Sequence, residues 1–366
     1  MGMRRQYLDI VRDRLEGGDV AGLFDLGWRW LGTALAPRAR KPLVGPALGT
    51  LLVTYRCDLR CAVCDLPARA AARRRAGDRE LDTAAFRRVL RDMKAIGTAG
   101  VGVTGGEPML RRDIVPLLSY GAGLGLHMHL NTDGFQVAER AETLRRTGVK
   151  SINLSLDGAS ATVHDRARGR LGSFDRVIEG FRALRRARGS RRGPRLTAVT
   201  VLTRRNLDQV EDVVRVALEA GADRVGVIPV HDFGHGEGQT DAAQVQTGLA
   251  RLKALHAEGV IDNSTAYLDL LPRAFRGEPS PLKCYAPWSS VVVDCYGDVF
   301  SCFPLMERNK PLGRIPLAPL WRSHQYAEAR ASLASCTDCL WNCHTEMNLA
   351  LPQRPGARRA AVGAAS

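Results

Sequence analysis

From Gly49 onward the chain alternates short apolar runs with longer segments in which apolar residues recur every three to four positions. The short runs are typical of buried strands, and the longer period is typical of helices that pack on them. The predicted strands are Leu51–Tyr55, Val101–Thr104, His127–Asn131, Ser151–Leu156, Leu196–Leu202 and Arg224–Pro229. The predicted helices between them are Asp82–Ile96, Arg112–Leu124, Val137–Thr147, Ser173–Ala187 and Leu207–Ala220. This alternation predicts an α/β fold, a parallel sheet with outer helices that curves into a partial (β/α)6 TIM-like barrel.

The same pattern divides the chain into four segments. We expect an N-terminal helical extension at 1–46, the barrel at 47–262, a small cysteine-rich domain at 263–350 and a disordered tail at 351–366. Two short helices are predicted in the extension, at Tyr7–Arg14 and Leu23–Leu35. The second helix carries Phe24, Trp28 and Trp30, which we expect to pack against the barrel. Contact with a membrane surface or a partner is the alternative.

Composition limits the compartment and the partners. No run of eighteen apolar residues predicts a membrane span, and the N-terminus is too charged for a signal peptide. We therefore expect a cytoplasmic protein with reduced thiols. The net charge is +15, with arginine-rich runs at 68–75 and 185–195. We interpret these runs as solvated surface. Nucleic acid is disfavoured as a partner because no aromatic residues are interleaved with them.

The nine cysteines fall into two groups, which indicates two metal centres. Cys57, Cys61 and Cys64 follow the first predicted strand, so they belong to the C-terminal rim of the barrel, where such folds carry their chemistry. Three thiolates leave one iron of a [4Fe–4S] cluster without a protein ligand and free to bind a cofactor. Structural zinc sites normally use four ligands, often as C-x2-C pairs. The C-x3-C-x2-C triplet does not match that pattern.

The stretch TYRCDLRCAVCDLP resembles the radical S-adenosylmethionine superfamily, and the resemblance covers roughly residues 49–230. It implies that Cys57, Cys61 and Cys64 are the catalytic iron ligands. It also implies that S-adenosylmethionine binds the open iron and is reductively cleaved to a 5′-deoxyadenosyl radical, which abstracts hydrogen from a substrate.

The resemblance further implies a set of cofactor-binding residues. Gly105, Gly106 and Glu107 form a GGEP motif for the methionyl amino group, and Arg168 suits the methionyl carboxylate. The remaining expected contacts are Asn131 near the ribose, Ser155 near the ribose or carboxylate, and Val63 near the adenine. For the segment at Asn131 a plain Asp-Gly turn is the alternative, and at Val63 the family usually has an aromatic residue.

The second cysteine group has the pattern Cys284-x12-Gly297-x4-Cys302, followed by Cys336-x2-Cys339-x3-Cys343. It resembles the SPASM/twitch extension, which implies a hairpin and an auxiliary [4Fe–4S] cluster. Cys284 and Cys302 are its expected first ligands, joined by two of the three later cysteines. Cys295 is predicted to be a buried structural thiol. A zinc ribbon built from the same residues is the alternative.

The predicted function is peptide modification by a radical S-adenosylmethionine enzyme, with an electron donor such as flavodoxin or ferredoxin as a partner. The first alternative is radical modification of a small molecule, such as a sugar, a nucleotide, or a lipid or cofactor precursor. The second alternative is a non-catalytic iron–sulfur or zinc scaffold.

Overall fold

The computed structural model describes residues 20–189, 193–231, 241–307 and 310–353. They are organised by a nine-stranded sheet in the order β6-β5-β4-β3-β2-β1-β7-β8-β9. The strands are β1 (Leu48–Leu52), β2 (Gly100–Thr104), β3 (His127–Thr132), β4 (Ser151–Ser155), β5 (Arg195–Leu202), β6 (Arg224–Pro229), β7 (Ser290–Val293), β8 (Asp298–Phe300) and β9 (Gly313–Arg314). The first six strands are parallel and lie side by side in chain order, which confirms the predicted partial barrel.

Helices connect these strands and continue through the C-terminal region. Those up to β7 are α1 (Val20–Ala39), α2 (Leu66–Arg75), α3 (Thr83–Ala95), α4 (Ile114–Gly123), α5 (Ala141–Arg145), α6 (Ala161–Arg168), α7 (Ser173–Arg188), α8 (Val210–Ala220), α9 (Ala242–Ala257), α10 (Thr265–Leu268), α11 (Leu271–Phe275) and α12 (Ala286–Ser289). The later ones are α13 (Phe303–Glu307), α14 (Leu317–Trp321), α15 (His324–Ser332) and α16 (Asn342–Ala350). Single 3-10 turns occur at Pro108–Leu110, Ala138–Arg140 and Leu207–Gln209.

The two faces of the barrel strands differ in chemistry. In β3, Met128 and Leu130 are fully buried beneath the outer helices. A Cβ atom added to Gly121 of α4 would lie 2.5 Å from the sulfur of Met128, so this side chain faces α4. Because successive side chains of a strand point to opposite faces, His129 and Asn131 point to the concave side of the sheet.

Most predicted elements agree with the structure to within a few residues. Helix α3 begins after Asp82, whose carboxylate accepts a hydrogen bond from the amide of Ala85 at 2.7 Å, as an N-cap does. Strand β1 begins three residues earlier than the sequence predicts. The predicted helix Val137–Thr147 is divided into a 3-10 turn and the short α5. The predicted helix Tyr7–Arg14 and residues 354–366 of the predicted tail lie outside the described residues.

One expectation for the charged and aromatic segments was wrong, that for the aromatic residues of α1. The arginine-rich run at 68–75 lies in α2, since alanine and arginine are strong helix formers, and Arg74 and Arg75 are exposed there. Phe24 and Trp28 of α1 do not pack against the barrel, because their side chains are exposed to solvent. Trp30 is 42% exposed, and its ring N–H donates to the carbonyl of Ala350 at 2.9 Å.

The predicted hairpin is present, and it extends the barrel sheet. Strands β7 and β8 are antiparallel, with Val292 opposite Phe300. Strand β7 also pairs in parallel with β1, which the sequence does not indicate. A buried hydrogen bond of 2.8 Å from the hydroxyl of Tyr55 to the carboxylate of Asp294 fixes the hairpin turn to the barrel.

Helix α16 spans the gap between β6 and β1, the two ends of the six-stranded barrel. At one end, the amide of Asn263 bonds to Asn342 of α16 and to the carbonyl of Val227 in β6. At the other end, Met347 and Leu351 belong to a cluster that packs against Ala47 and Leu48, at the start of β1. The helix therefore connects the region of β6 with the start of β1. Among the described helices, none is long and apolar enough to cross a bilayer.

We expect Tyr55→Phe to lower the free energy of unfolding by about 1–3 kcal/mol, because it leaves a buried oxygen of Asp294 without its hydrogen bond. Anaerobic urea denaturation measures this change. Tyr120→Phe is the matched control, since its hydroxyl accepts a solvent-exposed hydrogen bond from the side chain of Arg91 at 3.0 Å. Equal losses in the two variants would contradict a special role for the Tyr55 bond.

Candidate active site

The loop that carries Cys57, Cys61 and Cys64 is held on one side by the turn after β2. The amides of Gly106 and Glu107 donate to the carbonyls of Thr54 and Arg56, each at 2.8 Å. A Cβ atom at Gly106 would lie 2.2 Å from the carbonyl oxygen of Arg56. Gly105 has φ +138°, and a Cβ atom there would lie 2.2 Å from the carbonyl oxygen of Thr54. Only glycine permits this backbone contact.

The other side of the cysteine loop is held by the end of α6. The amides of Arg60 and Ala62 donate to the carbonyls of Arg168 and Ala167 at 3.0 and 3.1 Å. Gly169 ends the helix in the left-handed conformation, and a Cβ atom there would lie 2.1 Å from the carbonyl oxygen of Arg60. The loop therefore lies between two glycine contacts at the C-terminal rim of the barrel.

The three thiols of this loop are half-buried and close enough to influence one another. Burial, with a smaller contribution from negative charge on Cys61, raises the pKa of Cys57 to about 12 and the pKa of Cys64 to about 11. The amide of Leu59 donates to the sulfur of Cys57 at 3.4 Å. Without metal, the thiols therefore stay protonated at neutral pH. A bound cation would compensate the charge of three thiolates, so the loop fits three corners of an iron–sulfur cluster.

Arg168 lies beside the cysteine loop. One guanidinium nitrogen forms a 2.8 Å ion pair with Asp157, and another lies 3.9 Å from the sulfur of Cys61. Its buried Nε atom donates no hydrogen bond to the described residues. Asp157 thus fixes the guanidinium and leaves one donor free. The sequence alone gave no indication of this role for Asp157.

Glu107 is fully buried and joins the turn after β2 to the turn after β3. Its carboxylate accepts hydrogen bonds from the amides of Met109 and Asp133, both at 2.7 Å, and from the hydroxyl of Thr132 at 2.8 Å. Burial raises the pKa of Glu107, and the negative charge of Asp133 raises it further. The carboxylate therefore has a structural role whatever else it binds.

Two acidic residues that the sequence analysis missed lie next to Cys57. Ligand atoms of Asp58 and Asp133 lie within 4.8 Å of its sulfur and of each other. One buried oxygen of each carboxylate accepts no hydrogen bond from the described part of the chain. Together with the free donor of Arg168, these oxygens fit a ligand that carries both an ammonium and a carboxylate group, as S-adenosylmethionine does. Their only sequence signals were the position next to Cys57 and the Asp-Gly turn after β3.

The other predicted cofactor contacts lie near this site. Val63 is half-buried within the cysteine loop, and Ser155 is half-buried at the C-terminal end of β4. Asn131 is on the concave face, where its side chain accepts a hydrogen bond from Asn153 at 2.8 Å and donates to the carbonyl of Val103. Asn131 is therefore not the residue of this segment that lies next to Cys57. That residue is Asp133, two positions after Asn131 in the chain.

The concave face is unusually polar. Barrel interiors are normally filled by Val, Ile and Leu. Here the inward positions include His129, which is 2.8 Å from the hydroxyl of Ser151, and the Asn131–Asn153 pair. An oxygen of Asn153 and the hydroxyl of Thr197 have no hydrogen-bond partner among the described residues. This face can therefore bind a ligand rich in hydrogen-bonding groups.

The structure brings together four cysteines of the second group. Burial, with smaller contributions from the nearby thiolates of Cys339 and Cys336, raises the pKa of Cys284 to about 12. Burial also raises the pKa of Cys302, which interacts with the same two thiolates and with Cys284. Such a set of four thiols fits one cluster.

The surroundings of Cys343 and Cys295 differ from those of the four cysteines described above. Burial, with a smaller contribution from the thiolate of Cys339, raises the pKa of Cys343 to about 11. Cys295 is fully buried, as predicted, and its charged neighbours are Glu80 and Asp294. Its exclusion from the ligands therefore remains a prediction that the geometry supports.

The fold and the site define an iron–sulfur enzyme built on a partial barrel. The sequence matches the radical SAM superfamily over residues 51–227 and the iron–sulfur cluster-binding domain SPASM over residues 284–343. A "PqqA peptide cyclase" of Xanthomonas axonopodis pv. citri (strain 306) is 32% identical over 264 residues, covering 70% of this chain and 68% of the relative. That of Ruegeria pomeroyi is 31% identical over 242 residues, covering 65% and 62%.

Solved structures show the same fold. Streptococcus suis SuiB bound to precursor peptide SuiA is 19% identical, with a TM-score of 0.62 over 81% of this chain and 71% of that chain. The protein anSMEcpe with bound AdoMet and Kp18Cys peptide is 16% identical, with a TM-score of 0.59 over 77% and 82%.

The chain therefore belongs to the radical SAM superfamily and carries a C-terminal SPASM domain. Family membership implies S-adenosylmethionine and a [4Fe–4S] cluster as cofactors, and the SPASM domain implies auxiliary iron–sulfur binding. It is an enzyme, so the expected radical chemistry is confirmed in preference to a non-catalytic scaffold.

We expect Cys284→Ala and Cys302→Ala each to lose about four of roughly eight irons, because each removes a thiolate from the auxiliary cluster. Cys295→Ala is the matched control and should keep its iron. Metal analysis after anaerobic reconstitution measures both. Iron loss in the control, with iron retained in Cys284→Ala, would reverse the assignment of the two cysteines. Stoichiometric zinc would indicate a zinc ribbon in place of the auxiliary cluster.

Proposed function

We propose that this enzyme modifies a peptide, which it binds along the concave face of the barrel beneath the cysteine loop. The carrying observation is the 32% identity to the PqqA peptide cyclase of Xanthomonas over two thirds of both chains. The polar concave face supports the proposal, because a peptide backbone offers a donor and an acceptor at nearly every residue. The side-chain oxygen of Asn153 and the hydroxyl of Thr197 are suitable hydrogen-bond partners for such a backbone.

In this proposal Cys57, Cys61 and Cys64 hold three irons of a [4Fe–4S] cluster. When bound there, S-adenosylmethionine and the cluster supply a 5′-deoxyadenosyl radical on one-electron reduction. The protein positions this cofactor. Glu107 and Asp133 face its ammonium group, and Arg168 faces its carboxylate through the donor that Asp157 leaves free.

Further contacts complete the proposed cofactor site. Gly105 and Gly106 keep the turn after β2 close to the loop, and Val63 and Ser155 lie where they can contact the adenosyl group. We assign Asn131 to the substrate-binding face and not to the cofactor site, because its side chain is hydrogen-bonded to Asn153 on the concave face.

The domain organisation and the partners belong to the same proposal. We assign the barrel to residues 47–262 and the auxiliary domain to 263–350, where Cys284, Cys302, Cys336 and Cys339 hold a second cluster and Cys343 is the spare thiol. None of the nine cysteines, all of which lie in the described part of the chain, forms a disulfide bond, which suits a reducing compartment such as the cytoplasm. This chemistry requires an electron donor, such as a flavodoxin or a ferredoxin.

We expect Glu107→Gln and Arg168→Ala to weaken S-adenosylmethionine binding about ten- to a hundred-fold, since each removes a charge-assisted contact. Equilibrium binding to the reconstituted enzyme measures this loss. The matched controls are Glu142→Gln and Arg145→Ala, which form an exposed ion pair on α5. Normal affinity in both site variants, with iron content unchanged, would contradict the assigned contacts.

The substrate class is tested by mass spectrometry. We expect the dithionite-reduced enzyme with S-adenosylmethionine to form 5′-deoxyadenosine and to change the mass of a short peptide encoded beside its gene. The control omits S-adenosylmethionine. Formation of 5′-deoxyadenosine with an unchanged peptide would refute peptide modification and favour a small-molecule substrate.

A further inference from the structure

Helix α1 exposes a continuous apolar stripe. Val20, Phe24, Trp28, Leu31 and Leu35 are 60%, 76%, 58%, 42% and 37% exposed. Their spacing of four, four, three and four residues places them on one face of the helix. Among the described residues, the large exposed apolar side chains outside α1 are limited to Leu171, so exposed apolar surface is concentrated here.

The opposite face of α1 is docked on the rest of the protein. Thr33 and Ala36 are buried, and a Cβ atom at Gly32 would lie 2.4 Å from a methyl carbon of Val44. The guanidinium of Arg29 donates to the carbonyl of Gly97 at 2.6 Å. Small and polar residues thus hold the helix in place. The barrel does not cover the apolar stripe, which keeps a fixed outward orientation.

The charge around the stripe is positive. Arg38, Arg40 and Lys41 are exposed where α1 ends, in a chain of net charge +15. Asp25 is the acidic residue between Val20 and Lys41, and it is paired with Arg29 at 2.8 Å. A second copy of this chain would bring like charges together, which disfavours self-association. An apolar surface that carries anionic groups is the complementary partner.

We propose that α1 docks the enzyme on an anionic phospholipid bilayer. Phe24, Trp28 and Leu31 enter the boundary between headgroups and acyl chains, and the cations at the end of α1 contact lipid phosphates. The helix lies in the plane of the membrane, since none of the described helices meets the requirements of a span. This proposal does not depend on the peptide substrate.

Flotation of the full-length holoenzyme with lipid vesicles tests the proposal. We expect binding to vesicles of phosphatidylglycerol and phosphatidylcholine, and much weaker binding to phosphatidylcholine alone or at high salt. The triple variant Phe24→Ser/Trp28→Ser/Leu31→Ser should bind at least about tenfold more weakly, since it removes the buried apolar area. Leu171→Ser is the matched control, because its side chain is 90% exposed elsewhere on the surface.

Iron content and S-adenosylmethionine binding serve as folding controls for the triple variant, because the stripe is outside the active site. Absence of vesicle binding by the unaltered enzyme would overturn the proposal. So would equal binding to neutral and anionic vesicles, or equal loss in Leu171→Ser. A dimer of the unaltered enzyme that the triple variant loses would identify the stripe as a subunit interface instead.

Discussion

The site depends on close contact between backbone segments with no side chain between them. The cysteine loop has no regular secondary structure, so the carbonyls of Thr54, Arg56 and Arg60 must be approached directly by neighbouring backbone. Gly106, in the turn after β2, and Gly169, at the end of α6, permit this from opposite sides. Because both contacts are backbone to backbone, the loop geometry tolerates change in its exposed side chains but not at these glycines.

The features that the sequence predicts best are those with a local signal. The six strands follow from periodicity, and the hairpin follows from the family resemblance that the spacing of Cys284, Gly297 and Cys302 carries. The turn with Gly105 and Gly106 could be identified for the same reason. Each of these signals lies within one short stretch of the sequence.

The remaining features depend on contacts between distant parts of the chain. Asp133 became a candidate only when the turn after β3 was placed beside Cys57, and Asp157 only through its ion pair with Arg168. The outward orientation of α1 was missed for a related reason. An apolar stripe indicates a helix face that avoids water, but it does not say whether protein or lipid covers it.

The pairing of β7 with β1 has a consequence for synthesis of the chain. Leu48 is aligned with Ser290, so one edge of β1 stays unpaired until roughly 240 further residues have left the ribosome, and sheets with such distant contacts form slowly. During that interval the strand that leads into the cysteine loop has open backbone groups, which favour aggregation. Pairing of this edge of β1 is therefore a late event in the life of the nascent protein.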